Sequence, residues 1–157
     1  MSGFRRGVRL GIDVGKARVG VARCDRDGLL AVPVETVPRN EASIRRIADL
    51  ATEYEAFELL VGLPVSLSGG ETASTEDARD FAAELAATTG APVRLVDERL
   101  STVTAHAAMR DAGRSQKSSR RIIDQVAAVV LLQHAIDVEK STGTPAGALL
   151  PGSQESP

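Results

Sequence analysis

The 157 residues are 43% hydrophobic and 25% charged, an ordinary balance for one globular domain. A formal net charge of −2 excludes a blanket polyanion binder, so any grip on nucleic acid must come from a local basic patch. The single cysteine, Cys24, excludes an internal disulfide and a thiolate zinc site, and no apolar run reaches the roughly 18 residues of a membrane span.

Val8 to Asp13 (VRLGID) alternates, with Leu10 and Ile12 on one face and Gly11 and Asp13 on the other. Arg18 to Cys24 (RVGVARC) is a second strand pattern, Asp25 to Gly28 a turn, and Leu29 to Val37 a third strand. Pro33 predicts an edge position for that third strand. Together these make an antiparallel meander. Glu41 to Tyr54 places Ile44, Ile47, Ala48 and Ala51 at the spacing of an amphipathic helix. Glu58 to Leu63 (ELLVGL) is almost wholly apolar, as expected of a strand covered on both faces.

Thr75 to Thr89 reads as a second helix stopped by Gly90, Pro92 to Asp97 as a fifth strand, and Ser101 to Ala112 as a third helix. A long last helix is predicted from Ser118 to Lys140. The Ser/Thr/Gly/Pro-rich residues 141–157 are expected to be a disordered tail, leaving residues 1–140 as the folded domain. A meander followed by strands joined through helices predicts an α/β protein with a mixed five-stranded sheet. Its first three strands are antiparallel, its fourth and fifth parallel, and helices cover both faces. This is the ribonuclease H-like order.

Three acids stand where acids are costly. Asp13 closes the first strand between Gly11, Gly15 and Gly20, so it is either a turn acid or the centre of a phosphate or metal site. Asp97 and Glu98 follow the apolar VRLV at a carboxyl end, where α/β sheets bind ligands. Successive strand side chains point to opposite faces, so one of these two is expected to face the site and the other to pair with Arg99 or cap a turn. Asp124 falls on the helical stripe of Ala128, Leu131 and Ala135 that should face the sheet. A carboxylate there needs a cation, either a bound metal or Arg120 or Arg121 nearby.

Asp13, Glu98 and Asp124 converging predict an oxygen-ligand site for Mg²⁺ or Mn²⁺. Two such ions roughly 4 Å apart suit in-line phosphodiester hydrolysis. The histidines, His106 and His134, fall on predicted helices without a nucleophile beside them. The run RDAGRSQKSSRR, with Arg110, Arg114, Lys117, Arg120 and Arg121, is expected to hold a phosphate backbone, and Arg5, Arg6 and Arg9 to add to the same field. Aromatics at 3% leave little room for base stacking as the main grip.

GIDVGKARVGVA, VGLP followed by SGG, VDERLST and IDQVAAVVLLQ stand in the order and spacing of the YqgF (RuvX) family, which the chain resembles from about Val8 to Lys140. The resemblance implies a ribonuclease H-like nuclease, acting in 5′-end maturation of pre-16S ribosomal RNA or as a Holliday junction resolvase. It implies catalytic, metal-binding acids at Asp13, Glu98 and Asp124, a substrate arginine at Arg18, and Ser101 and Thr102 as helix caps or substrate contacts. The basic residue usual before that arginine is Ala17 here, with Lys16 one place earlier. The expected partner is structured RNA or branched DNA in a cytoplasmic setting, for a monomer or a homodimer. Two other classes compete: an ATP-binding domain of the actin and sugar-kinase type, which needs a second domain, and a non-catalytic nucleic-acid-binding module, which would have lost its acids.

Overall fold

The structure is a computed structural model that describes residues 3–66, 68–97 and 116–150, with the backbone alone for 116–124. Its strands are β1 (Arg9–Val14), β2 (Arg18–Cys24), β3 (Ala31–Pro38), β4 (Glu58–Leu63), β5 (Val93–Asp97) and β6 (Ala148–Leu149). Its helices are α1 (Ser43–Glu53), α2 (Ala73–Thr89) and α3 (Gln116–Thr142). The strands form one six-stranded sheet in the order β3-β2-β1-β4-β5-β6. The meander is antiparallel, and β1, β4 and β5 run parallel.

Alternation along the strands builds a core on each face of the sheet. Leu10, Ile12, Leu59 and Val61 pack on one side with Ile47, Leu50, Phe81 and Leu85 of α1 and α2. Ala22, Leu60 and Val96 pack on the other with Ala128, Leu131, Leu132, Ala135 and Ile136 of α3. β4 lies between β1 and β5 and is buried on both faces, which is why its sequence shows no polar alternation. β3 is the edge strand that Pro33 predicts. The predicted mixed α/β sheet is therefore the observed one, with one strand more. The predicted helix at Ser101–Ala112 lies outside the described residues.

Most element ends shift by one or two residues, and two differences have local causes. α2 begins at Ala73, because Thr72 and Thr75 form a reciprocal capping box and the Thr75 hydroxyl also donates to the Pro64 carbonyl. Residues 141–150 are not the expected disordered tail. α3 runs to Thr142, and Ala148 and Leu149 pair antiparallel with Leu95 and Arg94. Leu150 then donates its N–H to the Val93 carbonyl (2.8 Å) and packs into the α1/α2 core. Residues 141–150 thus belong to the domain and cover the open edge of β5.

Gly147 makes that strap possible. Its φ is +76°, and a Cβ there would stand 2.3 Å from the Leu95 carbonyl oxygen. Gly147→Ala is expected to cost about 1–2 kcal/mol and lower the melting temperature by roughly 2–8 °C. A melting temperature equal to that of the parent protein would show that the strap adds nothing to stability.

Candidate active site

Asp13 is half-buried near the end of β1. Its strand neighbours Ile12 and Val14 belong to the α1/α2 core, so Asp13 shares the α3 face with Gly11. A Cβ on Gly11 would stand 2.8 Å from Leu132 Cβ and 2.9 Å from the Ala128 carbonyl oxygen, so the glycine is what lets α3 lie directly on β1. Across the sheet, Asp13 pairs with Gly20, and Gly20 pairs with Thr36. With a glycine directly opposite, no cross-strand side chain stands beside the carboxylate at that position.

The direction of α3 follows from its contacts. Glu139 meets Arg9 at one end of β1, Ala128 and Leu132 meet Gly11, and Gln125 Nε2 donates to Thr36 Oγ1 (2.8 Å). The helix runs antiparallel to β1, and its N-terminal part lies at the row of Asp13. Position 124 is one helical turn before Ala128. The stripe of Ala128, Leu131 and Ala135 does face the sheet, each of the three buried.

Arg18 is half-buried at the start of β2, and Lys16 is exposed on the turn between. Gly15 donates its N–H to the Arg18 carbonyl (2.9 Å), and a Cβ on Gly15 would stand 2.6 Å from that oxygen. The glycine therefore serves a tight strand-to-strand turn. Asp97 is exposed and pairs with Leu63, which packs on the α1/α2 core. Asp97 and Asp13 thus lie on opposite sides of the sheet. Glu98, Arg99, Ser101, Thr102, Arg110 and Arg114 lie outside the described residues, as do the side chains of Lys117, Arg120, Arg121 and Asp124. Among the described residues no three His, Cys, Asp or Glu side chains gather as a metal site.

Two expectations change. Arg5 and Arg9 do not join a phosphate-binding field: they pair with Glu58 and Glu139 under the opposite end of β1. Arg6 is at the surface, paired with Asp27. Sequence reading also passed over Arg39 and Asp77. With Lys16, Ala73 and Ser74 they line an open cleft of about 450 Å³ beside the β1–β2 turn. The Arg39 hydrogen bonds hold the Asp77 carboxyl below the usual range, against the opposing effect of burial, and the charges of Arg39 and Lys16 lower it further. Arg39 and Asp77 lie 38 positions apart, so no local motif announces the pair. Among the described residues no helix is long and apolar enough to cross a membrane.

The family model described as RuvX, Holliday junction resolvase, matches residues 7–138. The chain belongs to this family. A relative from Clavibacter michiganensis subsp. michiganensis is 56% identical over 98% of both chains and carries the name "Putative pre-16S rRNA nuclease". One of the same name from Streptomyces coelicolor is 52% identical over 92% of this chain and 88% of its own. Among solved structures, Thermus thermophilus RuvC in complex with a Holliday junction substrate superposes with a TM-score of 0.56. It is 18% identical and covers 88% of this chain and 99% of its own. That likeness establishes the ribonuclease H-like architecture of the family member described here.

Proposed function

We propose that the protein is a metal-dependent nuclease that hydrolyses phosphodiester bonds in the 5′-end maturation of pre-16S ribosomal RNA in the cytoplasm. The observation that carries this reading is the antiparallel passage of α3 over β1, which brings position 124 to the row of Asp13. Val96 faces α3 and Asp97 falls on the other side of the sheet; Glu98 is included with Asp13 and position 124 on the family's sequence motif. The names of the relatives supply the substrate class.

The donor set suits a hard divalent cation, since Asp13, Glu98 and Asp124 offer carboxylate oxygens alone. Asp13, Glu98 and Asp124 would hold Mg²⁺ or Mn²⁺, as two ions. Bound there, the metal supplies a more acidic water and neutralises charge at the leaving oxygen. Arg18 holds the substrate phosphate beside Asp13. Lys117, Arg120 and Arg114, with Arg99, Ser101, Thr102 and Lys16, grip the flanking backbone. Asp97, on the far side of the sheet from Asp13, is left outside the metal set.

The fold of RuvC, solved with a Holliday junction, favours a second reading as a junction resolvase. Two symmetric cuts would then require a two-fold dimer. The experiment gives the purified protein with Mn²⁺ both a 5′-extended pre-16S RNA and a four-way DNA junction. Cleavage of the RNA with the junction intact is the expected result. Paired symmetric nicks in the junction alone would replace it with the second reading, and no cut in either would overturn the nuclease assignment.

A further inference from the structure

One guanidinium joins three elements behind the β1–β2 turn. Arg39, just past β3, donates from Nη1 to the Gly15 carbonyl and to Asp77 Oδ2 (2.9 Å each), and from Nη2 to Asp77 Oδ1 (2.8 Å). Its backbone N–H donates to the Ala17 carbonyl (2.9 Å), and its guanidinium lies over the Phe81 ring, 4.9 Å from the centroid. Asp77 and Phe81 are both on α2, one turn apart. The turn they hold connects Asp13 to Arg18. The bond from Gly15 to Arg18 closes the turn but does not fix its tilt against the sheet. Arg39 holds the turn at both Gly15 and Ala17 and ties it to a helix on the opposite face. A planar fork on a carboxylate sets direction as well as distance, which an ammonium does not.

We propose that Arg39, held by Asp77, is a positioning residue for the cleavage reaction: it fixes the β1–β2 turn and so the placement of Asp13 relative to Arg18. This rests on the nuclease reading above. Misplacement of reacting groups by about 1 Å is enough to slow chemistry up to about 100-fold.

The test uses the full chain with Arg39→Lys, which keeps the charge and loses the fork, and Asp77→Asn, which keeps the shape and loses the charge. Each is expected to lower kcat on the pre-16S RNA about 10-fold or more while KM stays within about threefold. The double variant should be no slower than the slower single one, because both remove the same clamp. Amide hydrogen exchange supplies a readout independent of activity. Exchange at Gly15 and residue 39 should quicken while that of β4 holds. Values of kcat within about twofold of wild type, or exchange that rises equally in β4, would overturn the proposal. A wild-type protein that cuts neither nucleic acid would instead sink the nuclease reading, and the exchange at Gly15 would then decide alone whether Arg39 fixes the turn.

Discussion

Asp13→Asn is expected to lower the single-turnover cleavage rate by about 10³-fold or more, equivalent to about 4 kcal/mol of transition-state stabilisation. The exchange of one oxygen for an NH₂ keeps the shape of the side chain and removes its charge. A hard divalent cation depends on carboxylate charge, and an amide oxygen is a much poorer substitute at a site built from few ligands. The fold should not follow the activity. Asp13 is half-buried at the end of its strand, outside both apolar clusters, and the row across to Thr36 is held by backbone pairing. The melting temperature is therefore expected within about 4 °C of wild type, as for a change of about 1 kcal/mol or less. Calorimetric titration with Mn²⁺ gives the second measurement, and binding should weaken with the rate. A variant that cleaves within about tenfold of wild type would remove Asp13 from the chemistry.

Much of the placement of this acid was legible in the sequence because strands and helices carry short periods. The alternation of Leu10 and Ile12 against Gly11 and Asp13 set the face of Asp13, and the Ala128–Leu131–Ala135 stripe set the face of α3. Pro33 marked the edge. What the sequence hid has no local period. β6 is two residues long, and its composition resembles a linker; only Gly147's positive φ and the two leucines that follow make it a strap. Arg39 and Asp77 meet because the ends of β3 and α2 meet, a property of the whole topology. The N-terminal arginines misled for a similar reason. A basic MSGFRRGVRL looks like a phosphate-binding arm until Glu58 and Glu139, distant in sequence, are seen to receive Arg5 and Arg9. Charge counts give the balance of a segment and not its partners.

Those partners define the largest expected stability effect. Glu139 is 2% exposed and accepts from the Arg5 backbone N–H (2.8 Å), from Arg5 Nε (3.1 Å) and Nη2 (2.9 Å), and from Arg9 Nη2 (3.1 Å). Arg9 is itself 1% exposed, its guanidinium stacked near the rings of Phe4 and Phe57. Glu139→Gln leaves that cation buried without its carboxylate, a loss of about 3–5 kcal/mol and a fall in melting temperature of roughly 6–20 °C. Arg5 keeps Glu58 and Arg9 keeps the Gly7 and Arg5 carbonyls, which places the expected value toward the lower end. Exchanging both partners, as Arg9→Met with Glu139→Leu, should cost less than the single change, because no charge is then stranded. The pH dependence has a definite sign. Burial pushes the Glu139 carboxyl up, but the hydrogen bonds from Arg5 and the charges of Arg9 and Arg5 outweigh it and hold the group below its ordinary 4.5. A folded value below the unfolded one means that this stabilisation is complete above pH 4.5 and lost as the pH falls through the folded value. The gap between the urea midpoints of wild type and Glu139→Gln should therefore be constant well above pH 4.5 and narrow as the pH is taken below it. Curves that stay parallel would show that the Glu139 charge does not stabilise the fold.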